Sequence, residues 1–292
     1  FVLSGGEIAA LAVLDAVVVA TPTTTHLDAA VCALEHGLHV FVEKPLTLSP
    51  ADSWRLVQLA AERGRANQVG YHNRFVGTFA ETRRLVQSGA IGTVYHIDGT
   101  AFGPVVTKEK TGFTWRSKKS EGGGCLHDYA SHVVDLMNWI VGPPRAVVGA
   151  RLTSVYSEHV EDAVDALFEY ESGATGSLQT NWSDESHRKM STSVTVYGTA
   201  GKIIADRQEC QVFLKPGVAV DGYEAGWTIR YITELQPPVD YYLRGEEYSA
   251  QVDAFVRAAI ESDPKPQNSF ESAYATDWVI DQFTQADARR GG

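Results

Sequence analysis

Cysteine is scarce: Cys32, Cys125 and Cys210 are the only three in 292 residues, far apart and in no CxxC pair. That argues against a disulfide framework and a thiolate zinc site, and it fits a reduced compartment, so a cytoplasmic location is expected. Positive charge is also short, with 25 Lys and Arg against 36 Asp and Glu and a net charge of −11. A deficit of that size argues against nucleic acid or an anionic membrane surface as the main partner. No run reaches the roughly 18 apolar residues of a membrane span. The longest near-apolar stretch, 8–20, is cut by Asp15. Internal repeats, low-complexity tracts and a Gly-x-Gly-x-x-Gly are all missing. What remains is ordinary globular material, 44% hydrophobic and 21% charged, long enough for two domains.

The first 70 residues alternate strand and helix. AVVVA at 16–20 reads as a strand buried on both faces. A helix over 26–36 carries Leu27, Ala30, Val31 and Leu34 on one stripe and stops at Gly37. Residues 39–42 form a second strand. Ser49-Pro50 supplies an N-cap and first-turn proline for a helix reaching Arg63, with Gly64 closing it. A third strand covers 67–70. This order predicts a parallel sheet with right-handed crossovers, whose ligands gather at the carboxyl ends of the strands.

After a helix over 75–88 the texture changes. Two-residue alternation marks strands at 94–102, 145–156, 163–170, 174–182, 191–197, 202–205 and 211–215, most of them separated by Gly, Asp or Ser turns. Helices are predicted over 129–141, 248–261 and 270–289. The expected fold is therefore α/β. An N-terminally incomplete parallel sheet occupies 1–72, and an α+β domain with a large, mostly antiparallel open sheet occupies 73–292. The chain opens Phe1-Val2-Leu3 and enters the α/β pattern at once. A first segment is expected to be missing from it, and an upstream signal stays open.

Two constellations could carry chemistry. Glu43-Lys44-Pro45 ends a buried parallel strand, which aims Lys44 at the ligand crevice. The plain alternative is a solvated turn lysine. In GGGCLHDYASH (122–132) three glycines permit close backbone approach. Asp128 and His132 are four apart on a predicted helix, where a carboxylate would set the tautomer of an imidazole base and raise its pKa. The plain alternative is an N-cap and a satisfied core histidine. A metal site from His127, Asp128 and His132 is weaker, because adjacent residues point apart; no metal is expected. Tyr71-His72-Asn73-Arg74 and Trp115-Arg116 add aromatic and cationic groups suited to hydroxyls and ring faces. Asp162, Asp165 and Glu169 read as structural or solvated, and Trp139, Trp182 and Trp278 as core.

Eight stretches then follow in a fixed order: AVVVATPTTTH (16–26), GLHVFVEKP (37–45), GYHNRF (70–75), SGAIG (88–92), WR (115–116), GGGCLHDYASHVVDL (122–136), YESGATGSL (170–178) and VYGTAGKI (196–203). In this order they resemble the Gfo/Idh/MocA oxidoreductases, the glucose-fructose oxidoreductase and inositol dehydrogenase family, over almost the whole chain. The resemblance implies a Rossmann-type domain followed by a domain whose open sheet often serves oligomerisation, so a homo-oligomer, dimer or tetramer, is expected. It also implies redox chemistry with NAD or NADP on a sugar or polyol. By position, Lys44, Asp128 and His132 match the family's catalytic residues. Thr21, Pro22, His26, Glu43 and Lys44 match the loops bordering the cofactor, and Arg74, Trp115 and Arg116 the substrate side. The absent glycine fingerprint departs from the family and leaves the choice between NAD and NADP open. Either His132 or Lys44 could be the base. A dehydrogenase of sugars, glycosides or cyclitols leads. A non-catalytic NAD(P)-binding regulator of the same fold and a dehydrogenase of other alcohols are the alternatives.

Overall fold

The computed structural model describes residues 14–105, 115–218 and 220–289. Three short runs, Ala16–Val19 (β1), His39–Val42 (β2) and Asn67–Val69 (β3), form a parallel sheet in the order β1-β2-β3. Helices His26–Glu35 (α1) and Pro50–Arg63 (α2) make the crossovers. α2 starts where Ser49 accepts from the Asp52 amide and Pro50 needs no donor, and it ends at Gly64 with φ 58°. All four residues of β2 are buried. β1 departs from its sequence reading: among the described residues it is an edge strand, and Val18 is 63% exposed. The buried stripe of α1 is His26, Ala30, Ala33 and Leu34. Leu27 and Val31 pack only at its margin, because His26 is turned inward and sets the rotation of the helix.

The second sheet has eight strands: Val94–Phe102 (β4), Ala146–Thr153 (β5), Ala163–Glu169 (β6), Thr175–Asn181 (β7), Ser191–Gly198 (β8), Gly201–Asp206 (β9), Glu209–Leu214 (β10) and Gly226–Tyr231 (β11). Their order is β11-β10-β9-β8-β4-β7-β6-β5, antiparallel except for β4 against β7. β11 was not anticipated, because its apolar residues Trp227, Ile229 and Tyr231 face outward and are 45–56% exposed. Helices Gly77–Gln87 (α3), Ser131–Val141 (α4) and Phe270–Ala288 (α6) cover one face. The opposite face is open along Leu167, Trp227, Ile229 and Tyr231. Trp182 is buried in the core, and Trp139 and Trp278 pack against it. Asp162 is fully buried and accepts from the amides of Val155, Tyr156 and Ser157, a structural use of its charge.

Two late elements return to the first sheet. Phe255 of helix Glu246–Glu261 (α5) meets Phe41 of β2 edge-on at 5.7 Å. Just before α6, the Asn268 carbonyl accepts from the Val69 amide at 2.8 Å, and the Asn268 side chain donates to Tyr71 O at 2.9 Å. The Asn67 side chain then accepts from the Phe270 amide at 2.7 Å. Within α6, Phe270 and Ala273 belong to the first core, whereas Val279, Ile280 and Phe283 belong to the second. One helix thus serves both cores. Among the described residues no helix is long and apolar enough to cross a membrane.

Candidate active site

The loops after β1, β2 and β3 meet at the carboxyl end of the parallel sheet, where such folds hold ligands. His26 ties two of them together. Its Nδ1 lies 3.0 Å from Pro45 O, its Nε2 lies 3.0 Å from Thr21 O, and the ring is 1% exposed. It therefore shapes the crevice through those loops and does not present its ring to it. Thr21, held to Thr25 at 2.7 Å, and Pro22 stand at the rim. Glu43 packs against the end of β3, where Gly70 leaves room; a Cβ there would lie 2.6 Å from Glu43 Oε2. Burial pushes the Glu43 carboxyl up, against the pull of the Lys44 amide and ammonium.

Lys44 follows at the end of β2, beside a cis Lys44–Pro45 bond. Its ammonium donates to Asp128 O at 2.9 Å and Asp128 Oδ1 at 3.2 Å, and Arg116 Nε donates to Asp128 Oδ2 at 2.9 Å. Burial works against the Asp128 carboxylate, but Lys44 and Arg116 outweigh it and hold the group below the usual carboxylate range. One carboxylate therefore bridges two cations. Asp128 is aimed by a single π turn, Leu126–Ala130, that leads into α4. Glu161 fastens the start of that turn by accepting from the Leu126 amide at 2.9 Å. Gly124, at φ 105°, is what admits it: a Cβ there would sit 2.0 Å from Glu161 Oε1.

The expected pairing of Asp128 with His132 is not formed. A π turn bonds residue i to i+5, so the i, i+4 alignment of a regular helix does not carry across it. Among the described residues His132 Nδ1 has no hydrogen-bond partner. The imidazole is 5% exposed and stands edge-on to Tyr71 at 6.0 Å and to His72 at 5.0 Å. Burial, then Lys44, His72 and Arg207, push its pKa well below the ordinary value, opposite to the rise expected from Asp128. His72 is stacked on Tyr248 at 4.6 Å, and Arg207 Nη1 lies 3.3 Å from its Nε2. Burial and then Arg207 push His72 down to about 3. Arg207 is ion-paired with Glu247 at the start of α5.

Lys44, Asp128, Arg116 and His132 are thus gathered at one crevice, with Glu43, Thr21 and Pro22 around it. Arg74 is a correction. It is 2% exposed, donates through Nε to Asp135 at 2.8 Å and through Nη1 to Gln267 O at 2.7 Å, and so is an internal ion pair rather than an open substrate donor. Trp115 opens the short turn Trp115–Ser117, and its side chain lies outside the described residues. Glu161, Arg207, Glu247 and Tyr248 were missed. They arrive from loops and helix starts with no motif of their own.

Residues 6–71 match the model of an oxidoreductase family with an NAD-binding Rossmann fold, GFO_IDH_MocA, and residues 79–204 match the Gfo/Idh/MocA C-terminal domain. The scyllo-inositol 2-dehydrogenase (NAD(+)) of Bacillus subtilis (strain 168) is 32% identical over 57% of this chain and 48% of its own. The levoglucosan dehydrogenase of Pseudarthrobacter phenanthrenivorans is 26% identical over 66% of this chain and 56% of its own. The chain spans about half the length of the curated relatives it matches. The crystal structure of an oxidoreductase domain protein from Kribbella flavida superposes with a TM-score of 0.87 at 25% identity, covering 99% of this chain and 82% of that one. The fold and both domain matches point the same way: the chain belongs to the Gfo/Idh/MocA oxidoreductase family.

Proposed function

We propose that the protein is an NAD(P)-dependent dehydrogenase that interconverts a secondary alcohol of a sugar, glycoside or cyclitol with the matching ketone. The observation that carries this reading is the contact of Lys44 with the turn that leads into the His132 helix: its ammonium donates to Asp128 O and Oδ1, 84 residues on. Lys44 follows β2 at the carboxyl end of the parallel sheet, and its charge adds to burial in depressing the imidazole. The names of the inositol and levoglucosan dehydrogenases support the substrate class.

The residues suit a nicotinamide site in one respect: the buried His132 Nδ1 has no partner among the described residues, and the loops tied by His26 lie at the same end of the sheet. Thr21, Pro22, Glu43 and Lys44 would border the cofactor. NAD or NADP, when bound, supplies the acceptor for the hydride of the carbinol carbon. His132, kept neutral by burial, takes the hydroxyl proton. Lys44 donates a hydrogen bond to the reacting oxygen and steadies its developing negative charge. Asp128 holds Lys44 and Arg116 in register, a different role from orienting the histidine. Because the Lys44 ammonium already donates to Asp128, His132 is the better base.

A screen by nicotinamide fluorescence against sugars, glycosides and inositols, scyllo-inositol and levoglucosan among them, tests the reading. No turnover of any member with either NAD or NADP overturns it. Association of copies through the open sheet face is part of the same proposal, since an uncovered apolar surface of that kind marks a contact site. A strictly monomeric mass in light scattering at high micromolar concentration would count against it.

A further inference from the structure

Thr276 and Asp277, adjacent on α6, are 0% and 5% exposed and reach in different directions. Asp277 Oδ2 accepts from the Ser53 hydroxyl at 2.6 Å and from the Thr47 amide at 3.4 Å. Thr47 lies three residues beyond Lys44, and its hydroxyl is bonded in turn to Ser53 at 2.8 Å and to Ser49 O at 2.7 Å. The loop that carries Lys44 is therefore held at two points, by the His26 ring at Pro45 and Leu46 and by a carboxylate 230 residues away at Thr47. On the other side, the Thr276 hydroxyl donates to Asp135 at 3.5 Å and accepts from Asn138 at 3.4 Å. Both partners sit on α4, within two turns of His132.

Leu46 of the Lys44 loop is packed into the first core, but on the Asp277 side the loop borders open space. A cavity of about 190 Å³ lies beneath it, lined by Pro45, Thr47, Leu48, His127 and Asp277 among others. Without the carboxylate the loop has room to settle inward. The other charged and titratable groups around Asp277 are Tyr71 and Asp135 within the protein, and Lys119, His127 and Asp281 at the cavity. No cation pairs with Asp277 among the described residues. Burial lifts its carboxyl to about 7. Toward Ser53 and Thr47 it acts as an acceptor, a part that an amide oxygen can also play.

We propose that the Thr276–Asp277 step of α6 is a positioning device that sets the Lys44 loop of one domain against the His132 helix of the other. It rests on the functional reading above for what Lys44 and His132 do. No part of it requires Asp277 to touch substrate or cofactor.

The test measures backbone hydrogen exchange over residues 44–48 and steady-state turnover of scyllo-inositol and levoglucosan with NAD. In Asp277→Ala the loop amides exchange faster, and kcat falls roughly 10–10²-fold while the KM for NAD moves less than about 2-fold, the pattern of a displaced group. Asp277→Asn, which keeps the acceptor oxygen, retains wild-type exchange and kcat. If Asp277→Ala does not fold, Ser53→Ala should show the same faster exchange and lower kcat. Unchanged exchange, or faster exchange with unchanged kcat, overturns the proposal. Should the wild type turn over neither compound nor any other polyol, the functional reading has failed. Exchange at 44–48 then decides by itself whether Asp277 holds the loop.

Discussion

On the Lys44 side of the crevice, opposite charges sit in direct contact: Asp128 receives Lys44 on one oxygen and Arg116 on the other. On the His132 side the neighbours are rings, Tyr71, His72 and the Tyr248 stacked behind it, and Nδ1 has no partner among the described residues. The two sides need different surroundings because they hold different states. A permanent cation must be compensated and fixed before it can steady a developing oxyanion. A base must stay neutral, and burial beside cations achieves that by penalising the imidazolium.

The contrast can be broken from either side. His132→Ala removes the proton acceptor and should lower kcat and kcat/KM by roughly 10²–10⁴-fold, with nucleotide affinity little changed in a fluorescence titration. Lys44→Met removes the donor and should cost roughly 10²–10³-fold, without rescue by added imidazole. Near-wild-type turnover by a folded His132→Ala protein would transfer the base role to lysine. Asp128→Asn loosens the cationic side only. It should cost about 10-fold, the scale of one charge-assisted hydrogen bond, and leave the acidic limb of the oxidation profile where it was. A limb that moved would show that Asp128 acts on His132 after all. In the wild type that limb should lie below the ordinary imidazole value, since His132 is held down by burial and cations.

The smallest effect is on stability, and its sign separates the histidines from Asp277. His72 and His132 resist protons in the folded chain that the unfolded chain accepts, so their share of stability is lost as pH falls below about 6.5. Asp277 acts the other way. With a folded value of about 7, above that of an unfolded carboxyl, it costs more as pH rises toward 7. Asp277→Asn should therefore raise the thermal midpoint by a few degrees at pH 8 and by less at pH 5. Equal gains at both pH values would place the ionisation elsewhere.

The sequence was readable where the cause of structure is local. Ser49-Pro50 and Gly64 bound α2 by cap chemistry, and the strand read over 94–102 has the bounds of β4, its burial alternating from Ile97 onward. Lys44 and His132 were visible because each sits in a compact stretch. The π turn was not, because LHDYA differs in no local signal from an α-helical start. That one extra residue per turn undid the expected Asp128–His132 contact. Arg207 and Glu247, 40 residues apart, and Glu161, 35 residues from the amide it holds, enter only through tertiary packing. Arg74 misled for the converse reason: a cation beside the crevice motif is consumed by Asp135, 61 residues on.

The seam between β3 and the segment before α6 bears on how the chain is made. Val69 pairs with Asn268 across 199 positions, and Phe270, fully buried, completes the core of the first sheet. A ribosome releases the amino-terminal strands long before that segment exists. For most of synthesis β3 has an open edge, and the Leu34, Leu46 and Leu56 core lacks its last ring. Contacts of such sequence separation slow folding and leave strand edges open to wrong partners in the meantime. A sheet translated well before α6 is thus among the last parts to be finished.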